Sequence, residues 1–115
     1  MFYKNRIGKF GQKIAIYYLK KKGYRIIAEN IYFRSGEIDI LSEKYDVLRF
    51  IEVKTRTNIE YGYPEESISK RKLEHLKKAI YAYILENNIE KQCNLEFVGI
   101  LLSGKKVRIK HIIID

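Results

Sequence analysis

Between Lys4 and Lys22 the apolar residues Ile7, Phe10, Ile14 and Tyr18, with Gly11 and Ala15 among them, recur at helical spacing, and Gly23 follows as a stop signal. The pattern predicts an amphipathic helix. Ile16 and Leu19 add a second apolar stripe, and Gln12 falls between that stripe and the polar side, at the edge of a buried cleft. The period then changes to that of strands in three runs, Tyr24 to Phe33, Glu37 to Ser42 and Val47 to Thr55, broken at Arg34-Ser35-Gly36 and at Glu43 to Asp46. These form an antiparallel meander. Arg56 to Ser67, which holds Asn58, Gly62 and the single proline, Pro64, is a loop leading to a second helix over Ser69 to Glu86, with Leu73, Leu76, Ile80, Tyr83 and Ile84 on its buried face. Beyond Asn87-Asn88, Asn94 to Leu102 and Lys105 to Ile114 make a hairpin across Ser103-Gly104. Lys106, Arg108 and Lys110 alternate there with Val107 and Ile109, as suits an edge strand protected by charge. The expected architecture is one α/β domain over residues 1–115: a mixed sheet, made of the meander plus further strands, flanked by two helices.

Composition narrows the class. A chain of 115 residues that is 46% hydrophobic can bury one core, even with 32% of its residues charged. Cys93 is alone, which excludes a disulfide framework and a zinc module. No apolar run is long enough to span a bilayer, and the first residues lack the apolar core of a signal peptide. A cytoplasmic protein that does not insert into membranes is expected. The formal charge is +9, and it is unevenly spread. Residues 1–25 carry eight cations (Lys4, Arg6, Lys9, Lys13, Lys20, Lys21, Lys22, Arg25) and no acid, whereas the rest of the chain holds 15 cations against 14 acids. Arg6, Lys9, Lys13 and Lys20 gather on one side of the first helix. Such a ridge is either the footprint of a polyanion or a solvated helix face.

Acids inside the predicted sheet are the chief anomaly. Asp39 and Glu52 stand among aliphatic neighbours in Gly36-Glu37-Ile38-Asp39-Ile40 and Phe50-Ile51-Glu52-Val53-Lys54. In a hairpin centred between Tyr45 and Asp46, Asp39 falls opposite Glu52 and Glu37 opposite Lys54, so that all four leave by one face. Opposed carboxylates repel unless positive charge lies between them, and Mg²⁺, or Mn²⁺ in its place, would supply it through oxygen ligands. Lys54 then stands where it can orient a water or neutralise a phosphate. The other reading is an exposed polar strand face, with these residues making cross-strand ion pairs only.

The arrangement Gly36-Glu37-Ile38-Asp39, a turn, Phe50-Ile51-Glu52-Val53-Lys54-Thr55-Arg56, then Tyr61-Gly62 and a helix bearing Lys70, resembles the uncharacterised bacterial YraN-like family. That family is placed in the restriction-endonuclease-like, or PD-(D/E)XK nuclease, superfamily, whose signature is an Asp followed by Glu/Asp-x-Lys. The resemblance runs from about Gly8 to His111. It implies a restriction-endonuclease-like core in which Asp39 and Glu52 bind the metal, with the Val53 carbonyl as a further ligand, and Lys54 orients water and stabilises charge. Glu37 and Gln12 would support the site. The family usually has Glu where this chain has Gln12, and Asp where it has Glu96; Gln12 offers a neutral carbonyl instead of a carboxylate.

Three further cations have positions to explain. Lys70, Arg71 and Lys72 follow Ser69, a good N-cap, in the first helical turn, where cations oppose the helix dipole unless an anion sits between. Alternatively Glu65 and Glu66 offset them, or the helix begins near Pro64. Arg56, directly after the Glu52/Lys54 strand, is placed to hold a phosphate. Of the tyrosines, Tyr61 and Tyr63, in the loop after the site, are the candidates for stacking on bases. The expected function is Mg²⁺-dependent endonuclease cleavage of DNA, linear or branched, with Asp39, Glu52 and Lys54 catalytic and Arg6, Lys9, Lys13, Arg56, Lys70, Arg71 and Lys72 gripping nucleic acid. The alternatives are a nucleic-acid-binding protein of the same fold that does not cut, and an adaptor for an acidic protein. A homodimer would pair through a sheet edge or a helix.

Overall fold

The structure, a computed structural model, describes residues 2–34 and 36–115. Ser35, in the first predicted break, and the side chain of Lys4, counted in the N-terminal charge, lie outside the described residues. A first helix, α1 (Phe2–Lys21), is followed by β1 (Arg25–Phe33), β2 (Gly36–Lys44), β3 (Val47–Arg56), a 3₁₀ turn (Pro64–Ser67), α2 (Lys70–Glu86), β4 (Cys93–Ser103) and β5 (Lys106–Ile113). The five strands form one sheet in the order β1-β2-β3-β4-β5. Neighbours are antiparallel except β3 and β4, which run parallel and are joined through α2, the crossover that a parallel pair needs. This is the expected mixed α/β sheet with two flanking helices. Among the described residues no helix is long and apolar enough to cross a membrane.

The helices cover opposite faces. Ala15 and Leu19 of α1 pack with Tyr24, Ile40, Ile51, Val98 and Ile100, while Leu76 and Ile80 of α2 pack with Ile38, Leu41, Leu48, Phe50 and Leu95. Covered on both sides, β3 is buried from Leu48 to Ile51 and β4 from Leu95 to Leu101, with Arg49 and Glu96 the charged members of these runs. The face of α1 nearest the sheet is Gly11-Ala15-Leu19, whereas Phe10, expected in the core, is 54% exposed. Gly11 is the reason: a Cβ there would lie 1.8 Å from Thr55 Oγ1, so only glycine lets the helix backbone settle onto β3. Gly23, at φ +91°, ends the helix as predicted. The second strand is longer than expected, and the second break shrinks to Tyr45 and Asp46, both left-handed (φ +53° and +60°), as a two-residue hairpin turn requires.

The β2–β3 register is the expected one, from Lys44↔Val47 to Ile40↔Ile51. There the ladder stops. β3 continues alongside β4 as far as Arg56↔Leu101, so its second half has a strand partner on one side only. A second irregularity lies on the other side of β2. Ile40 belongs to the α1-side core and Leu41 to the α2-side core, yet Ile38 packs with Leu41. β1 shows the same slip, because Ala28 and Ile31 both pack on the α2 side although three residues apart. Both slips fall between the pairs Glu29↔Ile40 and Ile31↔Ile38, at Asn30 and Asp39, and Asn30 has φ +52°. Left-handed backbone is tolerated by Asn, and here it re-aims the residues beyond it.

Candidate active site

The slip decides where the acids point. With Ile38 committed to the α2 side, Glu37 and Asp39 turn to the α1 side, where they line an open groove of about 970 Å³. Lys9, Gln12 and Lys13 of α1 form one wall of it, Glu29, Asn30 and Tyr32 of β1 another, and the segment from Val53 to Asn58 with Tyr61 a third. β3 keeps its alternation. Glu52 therefore faces the α2 side, in a crevice with Ile68, Lys72, Leu73, Leu76, Phe97 and Ile114. The expectation that Glu37, Asp39, Glu52 and Lys54 share one face is thus corrected: Glu37 and Asp39 leave by the α1 side, Glu52 and Lys54 by the other, and Lys54 still lines the groove because the groove wraps the end of β3 beyond the β2–β3 ladder, where Glu52 also approaches Asp39.

Asp39 and Glu52 are neighbours without being ladder partners. Asp39 Oδ2 accepts a hydrogen bond from the Val53 N–H at 2.7 Å, so a side chain satisfies the backbone group that β2 leaves free. Burial first, then the Glu52 carboxylate beside it, push the Asp39 carboxyl up from 3.8 to about 7, against the pull of the Val53 N–H and the Lys72 charge. Burial and the charge of Asp39 raise Glu37 as well. The positive charge beside Glu52 comes from Lys72, whose Nζ lies 3.1 Å from Glu52 Oε2.

These donors suit a hard divalent cation. Two carboxylates this close, with the proton affinity of Asp39 raised by its neighbour, offer the same oxygens to a metal. The N–H and C=O of a strand residue leave by the same edge, so the Val53 carbonyl is directed to the gap beside Asp39. Among the described residues no three His, Cys, Asp or Glu side chains converge as a metal cluster. A set of two carboxylates and a carbonyl matches Mg²⁺, which keeps several of its waters. Gln12 reaches the same place with its amide nitrogen, donating to Glu29 Oε1 at 3.1 Å and, more weakly, to the Asp39 carbonyl at 3.5 Å.

The expected cationic grips divide. Lys9, Lys13 and Lys54 are exposed and line the groove. Arg6 is exposed on α1 outside its lining. Arg56 lines it, but its Nη1 donates to the Tyr61 and Gly62 carbonyls at 3.0 and 3.4 Å, so it pins the loop instead of standing free for a phosphate. Lys70 and Arg71 are exposed at the start of α2, away from the groove, and Lys72 is engaged by Glu52. The upstream acids do not offset them: Glu65 forms a two-pronged pair with Arg108, and Glu66 accepts from the Tyr63 N–H. Ser69 is the N-cap, its Oγ accepting from Lys72 N at 3.1 Å.

Glu29 and Asn30 were not among the predicted groove residues; the polar pair interrupting Ile26, Ile27, Ala28 and Ile31 was the available signal. A buried network under the C-terminal half of α1 also went unforeseen. Glu96, fully buried, accepts from Tyr24 Oη at 2.8 Å and Arg49 Nη1 at 2.9 Å and meets His111 Nε2 at 2.7 Å. Burial alone would raise its carboxyl, but the bonds from His111, Tyr24 and Arg49 outweigh it and hold Glu96 below the ordinary value.

The sequence profile of the uncharacterised protein family UPF0102 matches residues 11–112. A UPF0102 protein of Flavobacterium psychrophilum is 34% identical over 107 residues, covering 93% of this chain and 90% of its own. One from Syntrophomonas wolfei is 40% identical, covering 93% and 94%, and one from Dehalococcoides mccartyi is 41% identical, covering 91% and 88%.

Proposed function

This chain belongs to the uncharacterised protein family UPF0102, and we propose that it is a metal-dependent nuclease that hydrolyses phosphodiester bonds in DNA, with Mg²⁺ or Mn²⁺ as cofactor. The observation that carries this reading is the meeting of Asp39, at the floor of a groove lined by Lys9, Lys13 and Lys54, with Glu52, which reaches it from the α2 side. Acids so close to one another are costly in a surface that only binds polyanions, and they are what phosphodiester hydrolysis needs.

Asp39, Glu52 and the Val53 carbonyl would hold the cation. When bound, it supplies a Lewis-acid charge that acidifies water and offsets charge on the phosphoryl oxygens. Val53 N–H fixes the Asp39 carboxylate by one oxygen and holds it beside the Glu52 carboxylate, with which it would share the ligand. Lys54, exposed and without an ion-pair partner among the described residues, orients a water and neutralises the phosphate. Lys9 and Lys13, one helical turn apart, bind the flanking phosphates from the α1 wall.

The test is nicking of supercoiled and branched DNA with Mg²⁺ or Mn²⁺. Cleavage should be lost in Asp39→Ala and Lys54→Ala; activity surviving in both would refute this site. Two observations favour a second reading, a protein of the same fold that binds nucleic acid without cutting it: Lys72 already neutralises Glu52, and Gln12 brings an amide in place of an acid. Salt-sensitive DNA binding with no cleavage in either metal would support it.

A further inference from the structure

We infer that the groove takes unpaired nucleobases, so that the substrate is single-stranded nucleic acid or the single-stranded part of a branched one, stacked on Tyr32 and Tyr61. The inference rests on the nucleic-acid reading of the groove given above, and it specifies the substrate class.

Tyr32 and Tyr61 both line the groove, one from β1 and the other from the loop beyond β3, and they are 77% and 85% exposed. Three exposed tyrosines outside it have a cation over the ring, Lys21 over Tyr17 at 4.9 Å, Lys44 over Tyr45 at 5.0 Å and Arg108 over Tyr63 at 4.5 Å, while Tyr81 of α2, bare among the described residues, lies outside the groove. Among the described residues the rings of Tyr32 and Tyr61 have neither a cation nor an aromatic partner. Their faces are open.

Tyr61 is also held ready. Arg56 grips the carbonyls of residues 61 and 62, Gly62 N–H donates to the Ile59 carbonyl at 3.0 Å, and Asn58 Oδ1 accepts from Glu60 N–H at 3.1 Å. Gly62 has φ +99°, and a Cβ there would lie 2.1 Å from Glu66 Oε2, so this loop conformation needs glycine. A ring on a pinned loop loses little freedom when a base stacks on it.

A duplex hides the faces of its bases and would present only sugar and phosphate to these rings. An unpaired strand offers both things the groove displays, π-faces for the tyrosines and phosphates for Lys9, Lys13 and Lys54. The volume, about 970 Å³, accommodates a short run of nucleotides. Asp39, half-buried at the floor, is within reach of a strand that can bend into the groove.

The experiment measures binding of 12-nucleotide oligo-dT, oligo-U and a duplex of equal length to the full chain in EDTA, so that cleavage plays no part. The chain has no tryptophan, so tyrosine emission reports stacking directly, beside anisotropy for affinity. The expected result is single-strand binding at least tenfold tighter than duplex binding, with quenched tyrosine emission. The oligo-dT and oligo-U arms show which sugar is accepted. Tyr32→Leu and Tyr61→Leu should each weaken it roughly tenfold. Tyr32→Phe and Tyr61→Phe, which keep the ring, should restore it, and Tyr81→Leu, an exposed tyrosine outside the groove, should change nothing. Equal or tighter duplex binding, or leucine variants that bind single strands as the parent does, would overturn the inference. Single-strand binding without cleavage would remove the nuclease reading alone; duplex cleavage untouched by the tyrosine variants would remove this one alone.

Discussion

Replacing Asp39 by Asn should abolish cleavage and yet stabilise the metal-free fold. In the folded chain Asp39 gives up its proton only near 7, against 3.8 ordinarily, so folding at pH 8 must keep a carboxylate ionised in a place that disfavours it. Each tenfold change in proton affinity is worth about 1.4 kcal/mol, which sets a ceiling near 4 kcal/mol. Asp39 is only half-buried and water screens part of the cost, so about 2 kcal/mol is the expected gain, or a Tm rise on the order of 8 °C. Asn keeps an oxygen for the Val53 N–H and brings an N–H₂ towards Glu52. Because the folded value is raised, the parent's stability is whole below about pH 4 and is lost as pH climbs through 7. The advantage of Asn therefore grows across that window and vanishes beneath it. Thermal unfolding of both proteins in EDTA at pH 4, 6 and 8 measures it. A Tm that is unchanged or lower at pH 8, or a gain as large at pH 4, would refute the argument.

Lys72→Met should lower the metal-free Tm slightly, since a half-exposed pair is worth about 1 kcal/mol or less, and should enlarge the shift produced by Mg²⁺, because no ammonium competes for Glu52; an unchanged Mg²⁺ shift would count against a metal at Glu52. Glu96→Ala should cost about 3–5 kcal/mol in urea unfolding by leaving the Arg49 guanidinium buried without its carboxylate. Glu96 is held below its ordinary value, so its contribution is whole above about pH 4.5 and is lost as pH falls through the folded value; the stability gap between the parent and Glu96→Ala in urea should therefore narrow on acidification, and a gap that stays constant from neutral to acid pH would contradict this. Gly11→Ala should lower Tm by more than the ~1 kcal/mol that helix propensity would return, and a variant as stable as the parent would contradict the contact with Thr55.

What was legible in the sequence was everything governed by period and by turns. The strands, the β2–β3 register, the crossover helix with its Ser69 cap and the final hairpin all follow from alternation and punctuation. The facing of Glu52 was not legible, because alternation was carried through Asp39 unbroken, and only the left-handed backbone at Asn30 breaks it. The roles of Arg56 and Lys72 escaped for another reason. Both looked like free cations by position, but their partners, the 61–62 carbonyls and Glu52, are set by how the loop and α2 return to the sheet. The Glu96 network brings together residues 24, 49, 96 and 111, a convergence that no local pattern encodes.

The halt of the β2–β3 ladder at Ile40↔Ile51 makes β3 an interior strand at one end and a rim at the other. Rims of sheets are where foreign strands attach, and proteins usually blunt them on the outside. This one lies inside the molecule, at the floor of the groove, with the Asp39 carboxylate in place of the missing neighbour and α1 standing over it. The fold thereby obtains unspent backbone groups at its centre while remaining closed to aggregation there. Amide exchange should report the difference along a single strand, slow from Leu48 to Ile51 and faster at Thr55, whose N–H leaves by the open edge as that of Val53 does.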